Sequence, residues 1–226
     1  PTLTQFGNLG DEAHRAVAAA WGSCPGAVLV LPATDDEFLA VSGLPKYWSE
    51  NVGGVTEPSD TQDGGNTRIF LRAAELPDMG PLSRLELVTH EITHLATVSQ
   101  EDRPDVPKWL SEGYAEWLAM RHIGVGLSSG APSLMTAIRS GKAPREFPTD
   151  DDYSFALSDP ELAYGSGWSA VKYIADTYGA AKTTALFRDC LASPDGSCAT
   201  STRKVLGIGL PDLQSRWHAW LVRGRL

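Results

Sequence analysis

The sequence predicts an α+β fold, with a small α/β lobe at residues 1–79 and a mostly helical lobe at residues 80–226. Short apolar runs rich in β-branched residues occur in the first third and indicate strands, whereas apolar residues spaced three and four apart dominate later segments and indicate helices. A chain of 226 residues with 42% hydrophobic content can bury a sizeable core. We therefore expect residues 1–226 to form a single domain with these two lobes.

Short helices and strands alternate in the first lobe. The alanine-rich segment Asp11–Trp21 favours a helix whose first residue lies near the N-cap. The apolar run Ala27–Leu31 predicts a buried strand, and Asp35–Val41 predicts a short helix. Residues 52–56 and 67–71 predict two further strands, which the turn-forming residues between them join as a long hairpin or an exposed loop.

Two helices that carry potential metal ligands follow. Apolar residues at three- and four-residue spacing predict a helix that opens at Pro81. A second helix, whose start is marked by Asp105 and Pro107, is predicted to run to about His122, with Glu112 and Glu116 one turn apart on the same face. The remaining elements are helical segments around a long acidic loop at 142–162: Ser133–Ser140, Gly165–Tyr178, Lys182–Leu191, Thr200–Leu206 and Asp212–Val222.

The first of these helices contains the sequence His90-Glu91-Ile92-Thr93-His94. Two histidines four residues apart lie on one helical face, so both imidazoles can reach one metal ion while Glu91 projects beside them. Zinc held by two imidazoles and a carboxylate lowers the pKa of its water to about 7. The pattern predicts His90 and His94 as zinc ligands and Glu91 as the general base.

A catalytic zinc needs a third protein ligand, which a carboxylate from another helix can supply. Glu112 is the candidate, and Glu116 is expected to accept a hydrogen bond from a ligating imidazole. The spacing leaves open the alternative that Glu116 is itself the third ligand. The longer zinc signature with a third histidine is absent, because the corresponding positions are Thr97 and Gln100.

The second helix opens with Trp109-Leu110-Ser111-Glu112-Gly113-Tyr114-Ala115-Glu116. This segment resembles the WLxEGxAE pattern of the peptidase MA-like group of gluzincin metallopeptidases, which carry HExxH on one helix and a glutamate ligand on the next. The resemblance is strong at the two zinc helices and loose elsewhere between Thr67 and Trp220. It implies zinc ligation by His90, His94 and Glu112.

The same resemblance implies a zincin-like fold with an active-site cleft between the two lobes. It places Tyr164 near the catalytic centre as a donor to the developing oxyanion, with Tyr114 and Tyr153 as competing candidates. It also implies that the strand Thr67–Leu71 lines the cleft as an edge to which an extended peptide can pair. No GxMEN-type motif for binding a free amino terminus is present, which favours endopeptidase action.

Charge and cysteine content limit partners and location. The formal charge of −9 and the lack of a basic cluster argue against nucleic-acid binding, and no apolar run is long enough to span a membrane. Cys190 and Cys198 flank a turn-rich loop and predict a disulfide, three free thiols being the alternative. Together with the resemblance, the predicted disulfide indicates a secreted or extracytoplasmic bacterial protein. We also expect a monomer whose partner is a peptide or protein substrate.

Two other functions remain open. A catalytically weak zinc protein that binds peptides or cell-envelope partners would retain the metal for structure. Glu91 argues against it, because structural zinc sites are normally closed by four protein ligands and need no base. A hydrolase acting on a non-peptide amide would use the same chemistry.

Overall fold

The computed structural model of the chain describes residues 2–44, 52–57, 67–97, 106–155, 160–193 and 198–224. It is mostly helical and contains one small three-stranded sheet, which agrees with the predicted α+β class. Residue contacts divide the chain into two compact units, Pro1–Ser99 and Gln100–Leu226. The helix that carries His90 and His94 belongs to the first unit, although the sequence suggested a lobe boundary at residue 79.

The first unit contains three helices and three strands. The helices are α1 (Leu3–Trp21), α2 (Asp35–Ser42) and α3 (Pro81–Thr97), and the strands are β1 (Ala27–Val30), β2 (Gly54–Glu57) and β3 (Thr67–Leu71). Helix α1 packs against α3, and α3 packs against β2.

Helix α1 begins eight residues earlier than predicted. Thr2 caps it, because its side chain accepts a hydrogen bond from the Gln5 backbone while the Gln5 side chain accepts one from the Thr2 backbone. Gly7 and Gly10 disfavour a helix by local propensity, but burial of the Phe6 side chain favours it. Asp11 therefore lies inside the helix rather than at its N-cap.

The sheet has the strand order β1-β3-β2, with β1 parallel and β2 antiparallel to β3. The antiparallel pairing of β2 with β3 is compatible with the predicted long hairpin, but the residues that join the two strands, 58–66, lie outside the described part of the chain. The prediction that β3 is an edge strand is wrong. Ile69, Phe70 and Leu71 are buried, and the strand lies between β1 and β2 and pairs with both.

Strand β1 is less buried than its apolar sequence suggests. Val28 is 44% exposed, because β1 pairs with β3 on one side and forms an edge of the sheet that the structure describes. The expectation of a fully buried strand is therefore wrong at this position. Apolar runs of this length occur in both settings, and sequence alone does not separate them.

In the described part of the second unit, the regular elements are helices joined by loops. Its helices are α4 (Lys108–Ile123), α5 (Leu127–Gly130), α6 (Pro132–Arg139), α7 (Pro160–Tyr178), α8 (Ala180–Leu191), α9 (Ala199–Leu206) and α10 (Leu210–Val222). A 3-10 turn, Asp150–Tyr153, lies within the loop predicted at 142–162. Helix α7 contacts α4, α6, α8 and α10, and so forms the centre of this unit.

An aromatic cluster fixes the start of α4 in the core of the second unit. Trp109 stacks on Phe147 with ring centroids 4.2 Å apart, and Phe147 contacts Trp217 at 5.1 Å. Trp217 donates a hydrogen bond to the hydroxyl of Ser169 on α7 over 3.0 Å. The conspicuous tryptophan that precedes Glu112 therefore anchors its helix, as its apolar spacing predicts.

Candidate metal centre

Helix α3 brings the two histidines of the HExxH sequence together. The Nε2 atoms of His90 and His94 lie 3.0 Å apart, and their rings meet at 71°. Two nitrogen ligands of one tetrahedral zinc ion, each at its usual bond length, lie roughly 3.3 Å apart. The two imidazoles are thus already close to the spacing that one zinc ion requires.

Glu91 is held in the first unit by a residue that sequence reasoning did not single out. Its side chain is only 6% exposed, and the hydroxyl of Thr56 on β2 donates a hydrogen bond to Glu91 Oε2 over 2.8 Å. The same hydroxyl lies 2.9 Å from the carbonyl oxygen of Glu91. A buried carboxylate needs such a donor, but 35 residues separate the pair in sequence, so no local pattern signals it.

The start of α4 is capped from a distant part of the second unit. The backbone nitrogen of Lys108 donates to Asp150 Oδ1 over 2.9 Å, which satisfies one of the free amides of the first turn and places negative charge at the positive end of the helix dipole. Glu112 and Glu116 follow on this helix, and both are half-buried. Asp150, part of an acidic run in the sequence, therefore stabilises the helix that carries the predicted third ligand.

Helices α4 and α7 cross with almost no space between their backbones. A Cβ atom on Gly113 would lie 2.6 Å from the carbonyl carbon of Gly167, and one on Gly167 would lie 3.1 Å from the carbonyl oxygen of Trp109. Any side chain at either position would force the helices apart. The glycine that follows Glu112 is thus explained by this crossing.

Tyr153 lies beside both Glu112 and Tyr164. Its ring meets that of Tyr164 edge to face at 5.1 Å. Burial raises the pKa of the Tyr153 hydroxyl well above its usual range, and the negative charge of Glu112 raises it further. The second unit therefore gathers Glu112, Tyr153 and Tyr164 in one region.

The three candidate tyrosines differ in access to solvent. Tyr153 is 2% exposed and Tyr114 is fully buried, and the Tyr114 hydroxyl is within hydrogen-bond distance of Thr184 at 2.9 Å. Tyr164 is half-buried. Of the three, Tyr164 has the most accessible side chain, a condition for any contact with substrate.

Histidine and glutamate side chains that could bind a metal ion are present in both units. They are Glu86, His90 and His94 on α3, and Glu112 and Glu116 on α4. Within the first unit, the structure brings the Nε2 atoms of His90 and His94 together, and the roles of both histidines and of Glu91 remain predictions. The ligand role of Glu112 and the supporting role of Glu116 remain predictions.

The cysteines follow the predicted pairing. Cys190 and Cys198 form a disulfide that spans the end of α8 and the start of α9, with their Cα atoms 4.9 Å apart. Cys24 is a free thiol, and burial raises its pKa to about 11. Disulfides persist in oxidising compartments, so this bond points to an extracytoplasmic setting.

Known proteins add no constraint to this picture. No family model, curated protein sequence or solved structure matches the chain. Among the described residues, none of the helices has both the length and the apolar character needed to cross a membrane.

Proposed function

We propose that this protein is a zinc-dependent peptidase, an endopeptidase in which His90, His94 and Glu112 hold the metal and Glu91 is the general base. The observation that carries the proposal is the 3.0 Å separation of the two Nε2 atoms, with the buried Glu91 between the two histidines in sequence. Two imidazoles and one carboxylate suit zinc and leave one coordination position open, as catalytic sites require. The zincin-like architecture and its cleft belong to the proposal and are supported by the resemblance at the two helices.

Zinc, when bound, would polarise a substrate carbonyl and make a water molecule more acidic. Glu91 takes a proton from the water as it attacks the carbonyl carbon and afterwards passes that proton to the leaving amine. Its buried position keeps the carboxylate away from bulk solvent and in a fixed orientation. This chemistry gives the residue a role that a structural zinc site would not need.

Glu112 is preferred to Glu116 as the third ligand because the WLxEGxAE pattern assigns ligation to the glutamate before the glycine. The tight crossing at Gly113 fixes the backbone next to Glu112, and a rigid backbone favours a preorganised ligand. Glu116 would then accept the free N–H of a ligating imidazole and set its tautomer.

Tyr164 is proposed to donate a hydrogen bond to the developing oxyanion, a contribution of a few kcal/mol where such a donor exists. Its exposure relative to Tyr114 and Tyr153 supports this choice. An extended peptide would pair with an exposed strand edge, and β2, which borders Glu91, replaces β3 as the candidate edge.

The cellular setting is proposed to be extracytoplasmic and bacterial, with the chain acting as a secreted monomer. The disulfide supports the compartment, and the resemblance supports the source. An acidic chain without a basic face is suited to peptide or protein substrates rather than nucleic acid.

The proposal is tested by incubating the protein with an unfolded protein substrate and detecting fragments by mass spectrometry. We expect cleavage within the substrate chain, its loss after treatment with a zinc chelator, and its return on addition of zinc. Persistent cleavage in excess chelator would contradict a zinc mechanism. Zinc binding without any cleavage would favour the alternative, a zinc-containing peptide- or envelope-binding protein.

A further inference from the structure

We propose that Thr56 is a positioning residue that holds the carboxylate of Glu91, and that Gly54 leaves the space in which this carboxylate lies. The inference rests on the proposed function, in which Glu91 is the base. It assigns a role in the reaction to strand β2, which contributes neither a metal ligand nor a base.

The hydroxyl of Thr56 lies between two oxygens of the same residue. It is 2.8 Å from Glu91 Oε2 and 2.9 Å from the Glu91 carbonyl oxygen. A hydroxyl has a single proton to donate, and a charged acceptor makes a hydrogen bond roughly twice as strong as a neutral one. The carboxylate is therefore the favoured acceptor, and this bond restrains Oε2.

Gly54 faces the other carboxylate oxygen. A Cβ atom at this position would lie 3.2 Å from Glu91 Oε1 and 3.1 Å from Glu91 Cγ. The same Cβ atom would lie 3.1 Å from Leu71 Cδ2. A methyl group at position 54 would therefore meet Leu71 as well as Glu91. Residues two apart on a strand point to the same side, and Gly54 and Thr56 together form a cradle against which the carboxylate lies.

Such a cradle matters because a general base acts only from a defined position. Glutamate has several rotatable bonds, and the entropy lost on fixing it opposes a single orientation. Displacement of a catalytic group by about 1 Å can cost 10²-fold in rate. A hydrogen bond from Thr56 and the close backbone of Gly54 restrict Glu91 before substrate arrives.

The test compares Thr56→Val, which keeps the shape and removes the donor, with Thr56→Ser, which keeps the donor. We expect Thr56→Val to lower kcat by tenfold or more with KM and zinc affinity unchanged, and Thr56→Ser to stay within about threefold of wild type. Thr89→Val is the control for loss of a threonine hydroxyl, because Thr89, which is buried whereas Thr56 is half-buried, donates to the Leu85 carbonyl within α3. A Thr56→Val variant with the wild-type kcat would overturn the proposal.

A structural measurement on metal-free protein separates this inference from the proposed function. In crystals of metal-free Thr56→Val, we expect Glu91 to occupy more than one rotamer, whereas wild type has one. A single, unchanged Glu91 position in the variant would overturn the positioning role even if the protein were an active peptidase. If wild type cleaved nothing, the proposed function would fail, and the same crystals would still decide whether Thr56 fixes Glu91.

Gly54→Ala provides a second variant should Thr56→Val fold poorly. The added methyl group meets the carboxylate rather than the zinc ligands, so we expect a lower kcat with unchanged zinc affinity. A displaced Glu91 side chain in its metal-free crystals would support the cradle. An undisplaced side chain together with the wild-type kcat would contradict it.

Discussion

Gly113 of α4 and Gly167 of α7 meet backbone to backbone, because a Cβ atom on Gly113 would lie 2.6 Å from the Gly167 carbonyl carbon. This contact lies next to Glu112 and fixes the helix that carries it. The glycine in the sequence pattern thus has a packing explanation that is independent of catalysis. It also makes the crossing sensitive to a single methyl group.

Replacing Gly113 with alanine should destabilise the protein by roughly 1–3 kcal/mol, because the added methyl group overlaps the backbone of α7. Gly7→Ala is the control, since Gly7 is also within a helix and a Cβ atom there meets nothing within 4 Å. The control should raise stability by roughly 0.5–1 kcal/mol. Denaturant unfolding followed by circular dichroism measures both, and equal effects would argue against the tight crossing.

The two glutamates of α4 should differ in their effect on zinc affinity. Loss of a residue that supports a ligand typically costs about 10–100-fold in metal affinity, and loss of a ligand should cost more. We expect Glu112→Gln to weaken zinc binding by more than 100-fold and Glu116→Gln by less than that. Competition titration with a zinc indicator measures the two dissociation constants. The reverse order would make Glu116 the ligand.

The ion pair between Asp35 and Arg72 should make the stability of the fold depend on pH in the acidic range. Arg72 Nε and Nη2 donate to the two Asp35 oxygens over 2.8 and 2.9 Å, and these bonds hold the pKa of Asp35 below its ordinary value of 3.8. A carboxyl group with a lowered pKa in the folded state stabilises the fold above that ordinary value. This contribution disappears as the pH falls through the lowered pKa.

Asp35→Asn should therefore lower the thermal midpoint at pH 7, and its difference from wild type should shrink below about pH 4. Asp36→Asn removes the same charge from the next residue of α2 and serves as the control. Thermal unfolding from pH 7 to pH 3 gives the comparison. A difference that is constant across this range would show that the ion pair is not its cause.

The three cysteines should react in distinct ways. Because burial raises the pKa of Cys24 from 9.0 to about 11, its thiolate fraction at pH 8 should be roughly 100-fold lower than that of an ordinary thiol. Iodoacetamide should label Cys24 slowly in the native protein and rapidly after denaturation. Mass spectrometry should find one labelled cysteine without reductant and three with it. Three labelled cysteines without reductant would contradict the disulfide.

The sequence predicted the helices best where local signals agree with packing. Pro81 and the regular apolar spacing predicted the start of α3 and its buried face from Leu85 onwards, whereas Leu82, which belongs to the same spacing, is 56% exposed. Thr34 caps α2 as its residue type suggests. The start of α1 was missed because Gly7 and Gly10 disfavour a helix locally, whereas burial of Phe6 favours it. Tertiary packing outweighed propensity there.

Local sequence patterns did not predict the hydrogen bonds that join distant residues in the candidate site. The HExxH spacing alone places His90 and His94 on one face, but Thr56 reaches Glu91 across 35 residues and Asp150 reaches Lys108 across 42. The order of strands in the sheet was not predictable for the same reason, because the pairing partners of a strand depend on the whole unit rather than on one apolar run. Which strand is the edge could not be derived from composition.

The most direct measurement of the central claim compares zinc-loaded wild type with Glu91→Gln on the peptide bond that wild type cleaves. Glutamine keeps the shape of the side chain but cannot take a proton, and general bases contribute typically 10²–10⁴-fold to rate. We expect Glu91→Gln to bind zinc as wild type does and to lose at least 100-fold in kcat. A variant that retains zinc and the wild-type kcat would contradict Glu91 as the base and, with it, the proposed mechanism.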